Sequence, residues 1–164
     1  MASYFMVDSE IMVAPGKRFL NFLLDIIFYY IIIFIIGFIA AFFTYLGIYK
    51  PYEILSDEGP LGTMARVSVF LLYYFVFEAL TGRTVAKFIT GTIVVNEFGE
   101  KLSVTQVLGR TFSRLIPFDA FSFFGTPSRG WHDSIPNTYV VDAQKLKDIK
   151  MLRNDFEQIG QEQL

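Results

Sequence analysis

The run FLNFLLDIIFYYIIIFIIGFIAAFFTYLGI, residues 19–48, decides the fold, because Asp25 is its one charged residue. About 20 apolar residues suffice to cross the hydrocarbon of a bilayer, and this run is well beyond that. A soluble protein of 164 residues has no core thick enough to bury it. The run therefore reads as a transmembrane helix, and the chain as an integral membrane protein. Its surplus length implies tilt, or a helix that projects beyond the bilayer. A secretory signal carries about 7–15 apolar residues and then a small-residue cleavage site. Here Ala40-Ala41 lies inside the run and Phe42-Phe43 follows it, so the span is expected to stay uncleaved.

On the C-terminal side, Pro51 and the polar Ser56-Asp57-Glu58-Gly59-Pro60 are expected to end the helix and form a short acidic loop. A second span is expected from Met64 to Leu80, near the lower length limit, with Arg66 at one end and Glu78 near the other. Tyr and Phe near both ends suit interfacial aromatic belts. The stretch from Val107 to Phe124 is also apolar, but Arg110, Arg114, Pro117 and Asp119 interrupt it. It reads as an amphipathic helix from Ser103 to about Ile116, lying at the interface, followed by an interfacial or re-entrant turn over residues 117–124.

Lys17 and Arg18 precede the first span, and most other Lys and Arg follow the second, from Arg83 to Arg153. By the positive-inside rule both termini are expected in the cytoplasm and the acidic loop outside. A short helix is expected over residues 82–90, with Arg83 and Lys87 on one face. Thr92-Ile93-Val94-Val95 and Thr138-Tyr139-Val140-Val141 read as strands too short to stand alone, expected to pair with each other on the cytoplasmic side. The expected architecture is an all-α membrane protein with two transmembrane helices, an amphipathic interfacial or re-entrant helix and a small two-stranded cytoplasmic β element. Residues 1–142 form the membrane domain and residues 143–164 a polar cytoplasmic tail.

Charged residues make up 18% of the chain, below the roughly 25% of a soluble domain, which agrees with a membrane location. The absence of Cys excludes disulfides, iron–sulfur clusters, thiolate zinc and a Cys nucleophile. A net charge of −2 argues against nucleic acid as a partner. One His with no Cys makes a transition-metal site improbable. No phosphate loop, dinucleotide fingerprint or metalloprotease pattern occurs, so neither a cofactor nor an enzymatic activity is expected.

Asp25 is the most informative residue. A charged residue at a helix centre costs roughly 2.5–3.5 kcal/mol on translocon scales, so it should face protein or water. Arg18, Asn21 and Asp25 share one helical face and form a polar stripe. The stripe reads either as an ion or proton site or as a clamp in which Asp25 pairs with a base to fix packing. Glu78 lies at comparable depth, and two acids at one level favour cation binding or protonation; the alternative pairs Glu78 with Arg83, Lys87 or Arg18. Arg110 and Arg114, four apart, read as a basic face reaching lipid phosphates, or as the source of a partner for Asp25 or Glu78. Arg83 and Lys87 belong to the same expected cytoplasmic basic face. Trp131 is expected to anchor in the interface, with Asp133 capping the segment after it. Gly37, Ala41 and Thr44 form a small-residue strip that permits self-association.

Taken together, Gly16-Lys17-Arg18, Asp25, the block from Glu78 to Lys87 leading into Gly91-Thr92-Ile93-Val94-Val95, and Trp131-His132-Asp133 before Thr138-Tyr139-Val140-Val141 resemble the RDD family. These are small, mostly prokaryotic membrane proteins named for one arginine and two aspartates. The resemblance spans roughly Ala14 to Asp142 and departs from the family pattern at Ala86, where Gly is usual. It implies that Arg18 and Asp25 are the family arginine and first aspartate, and that Asp133, or alternatively Asp119, is the second. It also implies two spans, and transport, since some members are described as cation/proton antiporters. The expectation is an oligomeric protein of the prokaryotic inner membrane that moves or senses a monovalent cation or proton. Asp25 would bind it, Glu78 would assist, Arg18 would be the competing counter-charge, and Asp133 would be a structural or gating contact. The alternative is a non-catalytic scaffold or accessory subunit of a membrane complex. Expected partners are the bilayer and further copies of the chain or another subunit.

Overall fold

In the computed structural model, residues 6–124 and 128–162 are described. The first helix, α1, runs over Pro15–Tyr45 and starts earlier than hydropathy predicts. Pro15 suits the opening turn, where its missing N–H costs nothing. Gly16-Lys17-Arg18 continue the helix because the Arg18 side chain is buried inside the protein. At about 1.5 Å per residue, α1 is long enough to cross a bilayer with length to spare.

The expected acidic loop is instead partly helical. Pro51 stands in the first turn of a second helix, α2 (Lys50–Ser56), so it starts a helix rather than only ending one. Arg66 donates to the backbone carbonyls of Leu55 and Asp57 at 3.0 Å each and holds the end of α2 against α3 (Pro60–Thr81). Leu55 lies 3.7 Å from where a Cβ on Gly37 would sit, and Ala40 is buried. At that end the small residues of α1 serve packing within the chain, while Ala41 stays exposed.

Among the described residues, α1 and α3 are the two helices long and apolar enough to cross a membrane. Their apolar side chains point outward: Phe34 is 74% and Phe38 71% exposed. Such a surface needs lipid or other apolar helices around it.

Gly82 ends α3 with a φ of +67°, and a Cβ there would lie 3.1 Å from the Val94 carbonyl. Both the conformation and the close approach require glycine. The next helix, α4, covers Val85–Thr90 and is capped by Thr84, whose Oγ1 accepts from the Lys87 N–H. It begins after Arg83, so Arg83 and Lys87 do not share a helical face as expected. Thr92–Asn96 (β1) and Thr138–Asp142 (β2) pair antiparallel, Thr92 opposite Asp142 and Asn96 opposite Thr138. The N-terminal segment adds to this unit, which the hydropathy pattern does not reveal. Met12 bridges Val141, and Ile11 joins Val95, Val141 and Leu146 in a small core.

Helix α5 spans Val104–Ser113, with Ser103 and Gln106 forming a reciprocal cap. It is shorter than expected, because Leu115 and Ile116 fall in turns after it. Phe118 has a φ of +67°, and a 3₁₀ turn over Asp119–Phe124 follows. Beyond it come α6 (Trp131–Ser134) and, after β2, α7 (Ala143–Glu162), which packs Leu146 onto the sheet. The last two residues of the expected tail lie outside the described residues.

Candidate functional site

The N-terminal third of α1, the C-terminal end of α3 and the short elements after it converge on a buried polar cluster. Three and seven residues on from Arg18, the helical repeat aligns Asn21 and Asp25 on one buried face. The three side chains nevertheless go to three different sets of partners. Arg18 pairs with Asp133 and also donates to the Ser128 carbonyl at 2.5 Å. Asn21 donates to Thr92 Oγ1 at 3.1 Å and accepts from Thr90 Oγ1 at 2.5 Å, tying α1 to α4 and β1. Asp25 accepts from Tyr73 Oη at 2.6 Å, Thr84 Oγ1 at 2.8 Å and the Ala86 N–H at 3.3 Å. Hydroxyls and an amide hold Asp25, where a basic side chain was expected, and Arg18 is not its counter-charge. Ala86 is fully buried against this carboxylate.

Glu78 does not meet Asp25 either. Its carboxylate accepts from Lys87 Nζ at 3.1 Å, Arg114 Nη2 at 2.9 Å, and Arg110 Nε and Nη2 at 2.9 and 3.3 Å. Arg110 reaches onward to Asp133 and to Thr138 Oγ1, the latter at 2.5 Å. Arg110 thus joins the second span to α6 and β2, and it is 0% exposed. The expected basic face is therefore largely interior. Lys87 and Arg110 are buried, Arg114 has one-tenth of its side chain exposed, and Arg83 stays half-buried over the Phe88 ring. The reason is charge balance: Arg18, Lys87, Arg110 and Arg114 are matched by Asp25, Glu78, Asp119 and Asp133, all at least partly desolvated together. Buried charges persist where pairing and hydrogen bonds compensate each one.

Burial lowers the Lys87 pKa, against the pull of Glu78. Burial likewise lowers that of Arg110, again opposed by Glu78. For Arg114, burial works downward but Glu78 and other neighbours outweigh it and raise the value. Arg114 also stacks 3.9 Å from the Tyr74 ring, an arrangement that favours a desolvated cation.

Asp119 accepts from the His132 backbone N–H at 2.9 Å and faces His132 Nδ1 at 2.6 Å. Burial pushes the Asp119 pKa up. Burial, followed by the nearby Arg114, Arg110 and Arg18, holds His132 well below its ordinary value. The Asp119 oxygen facing Nδ1 favours the tautomer that carries its proton there. Trp131, half exposed, donates its backbone N–H to Ser122 Oγ at 2.8 Å. Asp133 does not cap the segment after it: it lies inside α6 and closes that helix's own first turn, accepting from the Gly130 N–H at 3.3 Å.

Beside this cluster is a cavity of about 300 Å³, whose polar lining includes Asn21, Asp25, Lys87, Arg114, Asp119 and His132. Tyr73, Tyr74, Thr84 and Thr138 complete the site and were not singled out by sequence. Tyr74 stands four residues before Glu78 on α3, a spacing that puts the two on one helical face, and both are buried.

The family model of the RDD family matches residues 12–135, which takes in both spans and every element through α6. No curated protein and no solved structure matches the chain. Of the residues that the resemblance marks, Arg18 and Asp133 are directly joined, while Asp119 is engaged by His132.

Proposed function

The chain belongs to the RDD family, and from that premise we propose that this membrane protein is a non-catalytic scaffold or accessory subunit. Its buried ion network fixes the packing of its polar end, and its exposed spans meet lipid and the spans of other subunits or copies. One observation carries this reading. Each of the four carboxylates is engaged by named donors, and Asp25 in particular is bound by two hydroxyls and a backbone N–H. A carrier acid has to exchange these bonds with its cargo, whereas a fixed packing element keeps them. The distribution of Lys and Arg supports an orientation with both termini in the cytoplasm of a prokaryotic inner membrane. A reporter fused after Leu164 tests it: an outside signal reverses the orientation.

The second reading, movement or sensing of a monovalent cation or proton, is supported by Asp25, Asp119 and His132 lining one cavity. Two spans cannot enclose an ion path alone, so this reading requires several copies or a partner.

Purified full-length protein in vesicles, given a pH gradient and Na⁺ or K⁺, separates the two. The scaffold reading expects no cation-dependent proton flux from wild type, and loss of stability or assembly in Asp25→Asn. Wild-type flux that disappears in an Asp25→Asn protein still inserted and folded establishes transport instead.

A further inference from the structure

The cavity has two kinds of wall. Phe22, Phe70, Leu115, Ile116 and Phe118 supply apolar surface. Leu115, Ile116 and Phe118 are also exposed, so the cavity opens at an apolar rim. Its polar wall mixes signs, but the acids have little left to offer. Both oxygens of Asp25 and both oxygens of Asp119 already accept hydrogen bonds. Arg18 is committed to Asp133 and the Ser128 carbonyl.

The spare capacity is on donors. Arg114 gives one Nη to Glu78, yet its buried Nε has no acceptor among the described residues. A buried N–H without an acceptor is costly, and more so on a charged group. Lys87 Nζ carries three N–H groups and meets Glu78 Oε1 and Thr84 Oγ1. Two cations with donors to spare, facing apolar walls, suit a compact group with several anionic oxygens, such as a phosphate, whether free or carried on carbon. The volume equals that of about ten waters, enough for a compact head and a few carbons.

We infer that this cavity takes a phosphate group, its oxygens on Arg114 and Lys87, and that any carbons attached to it lie against Phe22, Phe70 and Ile116. The inference goes beyond the scaffold reading and holds independently of it. The phosphate comes from a membrane lipid or from free phosphate, and the two are separable.

Full-length protein is reconstituted in nanodiscs of phosphatidylglycerol mixed with a phosphate-free galactosyl diacylglycerol, extracted, and its retained lipid measured by mass spectrometry. Retention of phosphatidylglycerol over the phosphate-free glycolipid by about tenfold is expected. Ile116→Trp, which fills the cavity without touching a charge, is expected to remove that preference while the thermal transition is kept. Leu115→Trp replaces it if Ile116→Trp does not fold. In a second arm, lipid-stripped protein is titrated with inorganic phosphate and read by thermal shift. A shift that the cavity-filling variant abolishes, without lipid preference, keeps the phosphate site and assigns it to free phosphate. Equal retention of the two lipids with no response to phosphate overturns the inference, as does a preference that survives filling the cavity.

Discussion

Arg18, in the first turns of the first span, and Asp133, 115 positions later, form a buried ion pair. The pair draws the segment after the second span back onto the start of the first. Arg110 shares Asp133 and carries the connection on to Glu78, so the two spans are linked through charged groups as well as through apolar contact.

Removing one member of that chain strands the others. Arg18→Ala leaves Asp133 with Arg110 as its remaining cation partner, and a broken buried pair costs about 3–5 kcal/mol. Thermal unfolding in mild detergent is expected to show this loss for Arg18→Ala and for Asp133→Asn. The double variant should lose less than the sum. Strict additivity would mean that the two residues do not act as a pair.

Glu78→Gln leaves Lys87, Arg110 and Arg114 crowded around a neutral amide. The expected outcome is a failure to accumulate as folded protein. Adding Lys87→Met should restore part of the yield by removing one uncompensated charge. Fluorescence-detected size-exclusion chromatography gives the readout, and no rescue by Lys87→Met would remove repulsion as the cause.

Asp25 separates a hydrogen-bonding role from a charge role. In Asp25→Asn the amide oxygen still accepts from Tyr73 and Ala86, but the amide nitrogen cannot accept from the Thr84 hydroxyl. A cost of about 1–3 kcal/mol is expected, with Asp25→Leu costing more because every donor is then stranded. Tyr73→Phe should reproduce part of the Asn effect. Equal stability of wild type and Asp25→Leu would refute the packing role.

His132 sets a pH dependence. Its folded pKa is held down by burial and by the surrounding arginines, so below about 6.5 the unfolded chain binds a proton that the folded chain does not. Its contribution is therefore complete above that pH and declines as pH falls below it. Asp119, raised by burial, acts with opposite sign as pH falls toward its ordinary range and offsets part of the loss. Melting temperatures across mildly acid pH should fall in wild type and flatten in His132→Gln. Identical slopes would assign the dependence to other groups.

A Cβ on Gly62 would lie 2.0 Å from the Asp57 carbonyl oxygen, which is backbone and cannot turn aside. Gly62→Ala must therefore push α2 from α3, at an overpacking cost of about 1–3 kcal/mol. Limited proteolysis between residues 46 and 60 should accelerate. Unchanged cleavage would show that the turn yields without loosening α2.

Hydropathy alone picked out the two helices long and apolar enough to cross a membrane, since that property depends on each residue's own transfer energy and on length. The Ser103 cap and the strands at Thr92 and Thr138 were legible for a similar reason: capping and β-branching act within a few residues. The start of the spans and the helix after Pro51 were not, because a buried Arg18 and the grip of Arg66 depend on distant groups. Tertiary structure alone decided which charge meets which. One helical face carries Arg18, Asn21 and Asp25, yet their partners lie in α6, β1, α3 and α4. An ion pair is a property of two positions and the space between them, and only the folded chain brings those positions together.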